Sequence, residues 1–171
     1  QREAVKNVLR YSLSLMTGGA GCGKTYSVST IASIAAELEL KVVLAAPTGK
    51  AAQRIEEVVR HPASTIHRLL GFDGHRFALG ADNRIEADIL LIDEVSMVDV
   101  RLAWQLFQAI DLQKTAVVLV GDHNQLPPVG PGNLLRDLVK SRAIPTTILT
   151  RVIRQAGVLK ENSIAVLDGH V

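Results

Sequence analysis

Cysteine is almost missing from this 171-residue chain; Cys22 stands alone. One cysteine forms no internal disulfide, and no zinc-type Cys/His spacing occurs. A reducing, cytoplasmic setting fits that usage. Aromatic residues are scarce, at 4%, so stacking on nucleic-acid bases must be sparse. No apolar run approaches the roughly 18 residues of a membrane span, and no signal-peptide pattern opens the chain. Excess charge is small: formally +2, with a pI of about 8.9. That is too little to argue for a polyanionic partner by itself. Repeats and low-complexity linkers are absent too. What is present is 47% hydrophobic residues, ample for one core in a chain the size of one ordinary domain. The chain opens inside a helix-like stretch, Gln1 to Arg10, as a piece of a longer protein would.

Along the chain, short apolar runs alternate with helical patterns. Strands are predicted at Leu13–Met16, Lys41–Ala46, Asp88–Ile92, Thr115–Val120 and Thr146–Leu149. Helices are predicted at Lys24–Glu39, Lys50 to about Arg60, Thr65–Leu70, Asp99–Ile110, Asn133–Val139 and Leu159–Leu167. KVVLAA is continuously apolar, as a strand buried on both faces must be. Alternating strands and helices predict an α/β fold with a parallel sheet covered on both faces. The polar, glycine-punctuated stretch 71–86 is expected to be a hairpin-like insertion.

Gly18 to Thr25 (GGAGCGKT) spell G-x-x-x-x-G-K-[ST], between a predicted strand and a predicted helix. Glycines there let backbone N–H groups turn inward around a polyphosphate, and the helix start adds its positive dipole end. Lys24 is suited to the β- and γ-phosphates, and the Thr25 hydroxyl to Mg²⁺. Gly18, Gly19, Ala20, Gly21, Cys22, Gly23, Lys24, Thr25 and Tyr26 are therefore the candidate nucleotide contacts. A second site is the apolar run ILLI that ends in Asp93-Glu94. In parallel sheets, ligands sit beyond the carboxyl ends of strands. Asp93 would hold Mg²⁺, directly or through water, and Glu94 would deprotonate the attacking water. Ser96 and Asp99 are expected to start the next helix. The fourth predicted strand ends in GDHNQLPPVG (Gly121–Gly130), where proline and glycine forbid regular structure and present polar side chains from a stiff loop.

In order along the chain stand GGAGCGKT, APTGKAA (Ala46–Ala52), STIHRLLG (Ser64–Gly71), LLIDEVSMVD (Leu90–Asp99), GDHNQLPPVGPG (Gly121–Gly132) and LTRVIRQA (Leu149–Ala156). With this set the chain resembles the first motor domain of superfamily 1 DNA helicases, closest to the RecD-like branch, the exonuclease V alpha subunit family. The resemblance implies a P-loop, RecA-like ATPase domain spanning residues 1–171, with ATP and Mg²⁺ as ligands. It implies coupling of hydrolysis to travel along single-stranded DNA, with five-prime to three-prime polarity, in DNA repair or recombination. It places Gln125 against the γ-phosphate with Asp122 and Asn124 nearby. Arg154 would neutralise the transferring phosphoryl group, and Gln1 would grip the adenine edge. Thr48, Lys50, Thr65, His67 and Arg68 would line the single-strand path, and 72–86 would be a small pin meeting the duplex fork. The partners implied are DNA, a second RecA-like domain of the same polypeptide, and other repair or recombination subunits. Without that second domain, weak ATP binding and slow hydrolysis are expected of this piece.

Blander alternatives stand beside several of these roles. Thr65 and His67 could simply cap and face a short helix. Arg151 and Arg154 could pair with surface acids. His61, His75, His123 and His170 show no metal spacing and are taken as surface residues. Trp104 and Phe107, three apart on one helix, form a core stripe. The helicase portion of a conjugative relaxase, or a nucleotide-switched DNA-binding module that unwinds nothing, would share most of these motifs.

Overall fold

The computed structural model describes residues 2–150. Six strands form one sheet in the order β3-β2-β4-β5-β1-β6, every neighbouring pair parallel. In chain order the elements are α1 (Arg2–Arg10), β1 (Leu13–Gly18), α2 (Lys24–Glu37), β2 (Val42–Ala46), α3 (Gly49–Val59), β3 (Ala63–Thr65) and α4 (Ile66–Leu69). There follow β4 (Ile89–Ile92), a 3₁₀ turn (Val95–Met97), α5 (Val100–Gln108), β5 (Ala116–Gly121), α6 (Leu134–Ser141) and β6 (Thr146–Leu149).

Successive strand residues face opposite sides of the sheet. Leu15, Leu90, Ile92, Val117 and Leu119 join Ile66, Ala103, Leu106 and Leu135 on the face covered by α4, α5 and α6. Met16, Leu44, Leu91, Val118 and Val120 join Ala4, Val8, Val28, Ile31 and Ile55 on the face covered by α1, α2 and α3. Both faces are thus buried, which is why the central strands read as unbroken apolar runs. This is the P-loop, RecA-like α/β architecture expected from the motifs. Its consequence for function is topological: β4, β5 and β1 are adjacent, so the loops leaving their carboxyl ends converge.

Two expectations need correction. A strand, β3, was not foreseen; it has three residues and borrows its register from β2, Leu44↔Ala63 to Ala46↔Thr65. Three residues are too few to show a period. The stretch 72–86 forms no strand ladder. It makes two tight turns, closed by the Asp73 amide on the Arg76 carbonyl (3.1 Å) and the Gly80 amide on the Asn83 carbonyl (2.9 Å). Phe77, Leu79 and buried Ile85 fold it onto the α5 side of the core, where glycines and Asx turns leave no room for paired extended segments. The expected helix at 159–167 lies outside the described residues.

Candidate active site

The loop after β1 turns sharply through Gly21 (φ 78°) and Gly23 (φ 83°), both in the left-handed region that only glycine enters without strain. Gly18 has a different need. Its backbone pairs with Leu149 of β6, and a Cβ there would run into the Leu149 carbonyl oxygen. Gly23 is the residue before α2 and offers no side-chain cap, so the first-turn amides of α2 face the loop unsatisfied. Between Gly19 and Gly23, among the described residues, Cys22 is the one amide with a backbone acceptor, the Gly19 carbonyl at 3.4 Å. A ring of free N–H donors at a helix start fits an anion. The Lys24 ammonium folds back on the same loop, donating to the carbonyls of Gly18 and Gly19, and lies 3.9 Å from Asp122 Oδ2. Thr25 is half-buried in the first turn of α2, and Tyr26 beside it is exposed.

At the end of β4, Asp93 is half-buried and its carboxyl is pushed up to about 6. Burial is the main cause. The neighbouring Glu94 charge adds to it, while the Glu94 amide (2.9 Å to Oδ1) and the positive charges of Lys24 and Arg54 oppose it. A carboxylate with so little solvation gains from a hard cation, which oxygen ligands suit. Glu94 sits in the left-handed region (φ 52°), and its Oε2 is buried with no hydrogen-bond partner. A buried carboxylate oxygen on a left-handed residue costs stability, the pattern that recurs at functional sites.

The loop after β5 is pinned at its root. Buried Asp122 accepts the Asn124 amide on Oδ1 (3.0 Å), and its carbonyl accepts the Gln125 amide (3.1 Å). Further on, the Pro131 carbonyl accepts the Val100 amide (3.0 Å), and a Cβ on Gly130 would strike the Asp99 carboxyl. The Pro-Pro-Gly loop is thereby laid against the start of α5. The three turns that carry Lys24, Asp93-Glu94 and Asp122-Gln125 are side by side, joined by the Lys24–Asp122 approach.

A second set of expected residues lies on the far side of β4, towards the sheet edge. Thr48 caps α3, accepting the Ala51 amide (3.2 Å), and Thr65 caps α4, accepting the Arg68 amide (3.1 Å). Lys50, His67 and Arg68 are exposed. His67 packs edge-on to Phe72 (5.5 Å) and against Phe77 (5.8 Å). Thr48 and His67 line one groove of about 710 Å³. Gln1 and Arg154 lie outside the described residues.

The profile of the AAA domain family matches residues 1–131. The chain belongs to the AAA domain family. It is 42% identical over 156 residues to the ATP-dependent RecD2 DNA helicase of Deinococcus radiodurans, covering 91% of this chain and 21% of that protein. It is 37% identical over 166 residues to the RecBCD enzyme subunit RecD of Mycolicibacterium smegmatis, covering 82% and 30%. Among solved structures, the Pif1 helicase of Candida albicans superposes with a TM-score of 0.68 at 25% identity, over 97% of this chain and 43% of that one. The chain therefore spans between a fifth and a third of those two curated relatives. The RecD-like resemblance of the motifs is borne out.

Three side chains of this AAA domain do what the sequence did not announce. Ser96 was expected to help start α5; Asp99 alone caps that helix, accepting the Leu102 amide at 2.7 Å. Ser96 falls instead inside the 3₁₀ turn, buried, and donates to Gln125 Oε1 at 3.1 Å. His123 is exposed, as expected of a surface residue, yet it is also tied into the sheet. Its Nδ1 lies 2.9 Å from Thr17 Oγ1, and its amide donates to the same hydroxyl at 3.3 Å, tying the end of β5 to the end of β1. The spacing of Trp104 and Phe107 predicts a core stripe for both. Phe107 does pack on the core, but Trp104 is 58% exposed and lines the groove with Thr48 and His67. Helix α5 buries Ala103 and Leu106, so position 104 falls on its outer face.

Proposed function

We propose that the chain is the first motor domain of an ATP-dependent DNA helicase, which binds ATP–Mg²⁺ and couples its hydrolysis to movement along single-stranded DNA and opening of a duplex fork. The observation that carries this reading is the convergence of three turns on one point, with Lys24 3.9 Å from Asp122. In this assignment the unpaired amides of the loop from Gly19 to Gly23, Cys22 excepted, cradle the phosphates. Lys24 leaves its own loop carbonyls for the β- and γ-phosphates. Thr25 and Asp93 would hold Mg²⁺, which when bound neutralises charge on the phosphoryl oxygens. Glu94, already desolvated and unpartnered, takes the proton of the attacking water. Gln125, held by Ser96, senses the γ-phosphate. Gln1 and Arg154 keep the roles that kinship gives them, at the adenine edge and on the transferring group.

The DNA path is Thr48, Lys50, Thr65, His67 and Arg68. Capping does not disqualify the threonines, since a hydroxyl that accepts an amide can still donate its proton to a phosphate oxygen. Contacts of this kind position a strand without reading its sequence. The turn-rich segment 72–86, seated beside His67 through Phe72 and Phe77, is the element that would meet the fork. Polarity from five-prime to three-prime rests on the RecD-like kinship. A second RecA-like domain of the same polypeptide would supply the other wall of the nucleotide cleft. The test is ATP turnover and unwinding by the full-length protein, with and without single-stranded DNA, alongside Lys24→Ala. Turnover stimulated by DNA and abolished by Lys24→Ala is expected. Turnover indifferent to DNA would favour the nucleotide-switched binding module instead, and turnover that survives Lys24→Ala would overturn the phosphate assignment.

A further inference from the structure

The chain holds six aromatic residues: three Phe, two Tyr and one Trp. Three of them gather at one place away from the nucleotide turns. Phe77 and Trp104 line the 710 Å³ groove, and Phe72 stacks on Phe77 with ring centres 4.7 Å apart. Opposite the His67 cluster, α5 and the turn before it contribute Trp104, Met97 and Val100, which are 58%, 48% and 47% exposed. Large apolar side chains left in water together, rimmed by polar groups, mark a binding surface. The charge around this one has a sign. Arg101 lines the groove, and Lys50 and Arg68 are exposed on the neighbouring helices α3 and α4. The single acid in the lining, Asp99, is half-buried, with its Oδ1 committed to the Leu102 amide. A cation in a largely apolar lining, with Lys50 and Arg68 exposed on the helices beside it, suits a polyanion that also carries planar apolar faces, which describes single-stranded nucleic acid. An acidic rim would have suited a basic peptide, and a neutral one a second copy of this chain.

We propose that this groove takes a base of the bound DNA strand, stacked on the Trp104 indole between Met97, Val100 and the His67 cluster, while Thr48 and Lys50 hold the adjoining phosphates. The inference rests on the DNA path proposed above and adds a base-contacting subsite to a path otherwise built from phosphate contacts. Trp104 supplies the largest exposed π-face in the lining, and its stacking is indifferent to base identity, as a motor that travels along any sequence requires.

The experiment measures affinity of the full-length protein for a short fluorescent oligothymidylate and for the same backbone made abasic, using Trp104→Ala, Trp104→Phe and Lys50→Ala. Loss of one base stack corresponds to about 1–3 kcal/mol. Trp104→Ala should therefore weaken binding of the base-bearing strand by roughly 5-fold to 140-fold. It should leave the abasic strand bound as before, and Trp104→Phe should restore most of the loss. Lys50→Ala should weaken both strands alike. Because Trp104 is largely exposed, its replacement should fold normally, which melting curves confirm. If Trp104→Ala leaves both strands unchanged while Lys50→Ala weakens both, the base subsite is wrong and the DNA path stands. If Trp104→Ala lowers both strands equally, stacking is not its role. If none of the variants alters DNA affinity, the path itself is misplaced. A Trp104→Ala protein with unchanged DNA affinity but altered self-association would assign the groove to a protein partner.

Discussion

Replacing Asp93 by asparagine should uncover a pH-dependent cost built into the carboxyl end of β4. Burial raises the Asp93 carboxyl from its ordinary 3.8 to about 6. A carboxyl raised in the native state holds its proton more tightly folded than unfolded. It leaves stability untouched below about pH 3.8, lowers it as pH rises from there to about 6, and leaves it lowered at all higher pH. At about 1.36 kcal/mol per pH unit, the whole interval amounts to roughly 3 kcal/mol. That figure is a ceiling, because Asp93 is half-buried and some water reaches it. Between about pH 4.5 and 7.5 only the part from 4.5 to 6 is crossed, or about 2 kcal/mol. For a domain of this size that corresponds to roughly 4–8 °C in melting temperature. Asparagine keeps the shape and never ionises. Urea or thermal unfolding of the nucleotide-free protein and Asp93→Asn at the two pH values gives the comparison. The variant should gain about 2 kcal/mol relative to the parent at the higher pH. Parallel pH–stability curves for the two proteins would refute the burial argument. Mg²⁺–ATP should then stabilise the parent more than the variant at the higher pH, since the cation offsets the buried charge only where a carboxylate is present.

Two further outcomes follow from close approaches. Gly18→Ala should destabilise the fold by about 1–3 kcal/mol, because its Cβ would strike the Leu149 carbonyl oxygen and force β1 and β6 apart; equal melting temperatures for the two proteins would show that the strands have slack. Ser96→Ala frees the Gln125 side chain, and one hydrogen bond of about 0.5–1.5 kcal/mol predicts a roughly two- to ten-fold drop in kcat with little change in the KM for ATP. Ser96→Ala combined with Gln125→Ala should be no slower than Gln125→Ala alone; additive losses would mean that Ser96 acts elsewhere.

Legibility followed sequence separation. The placement of GGAGCGKT after β1 and of Asp93-Glu94 after β4 could be read because each motif is a run of neighbouring residues, flanked by a strand that the apolar period reveals. The parallel sheet could be read for the same reason: VVLAA, ILLI and AVVLVG are uninterrupted because both faces are covered. β3 could not, since its three residues are ordered by β2 and carry no period of their own. Ser96 escaped because a 3₁₀ turn intervenes between β4 and α5, shifting it from the helix start to a hydrogen bond with Gln125, 29 residues away. The Thr17–His123 tie spans 106 residues and leaves no local trace. Trp104 misled for another reason. An aromatic three residues from Phe107 has the spacing of a core stripe, and only the positions of Ala103 and Leu106 fix which side of α5 is buried.

The most direct test of the central claim is a crystal structure of the chain with Mg²⁺ and a non-hydrolysable ATP analogue. The Lys24 ammonium should leave the Gly18 and Gly19 carbonyls for the terminal phosphates, with Asp93 and Thr25 at the metal and Gln125 within hydrogen-bond reach of the γ-phosphate. A nucleotide bound away from the loop after β1, or phosphates in that loop with Asp93 and Gln125 both out of reach, would contradict that claim.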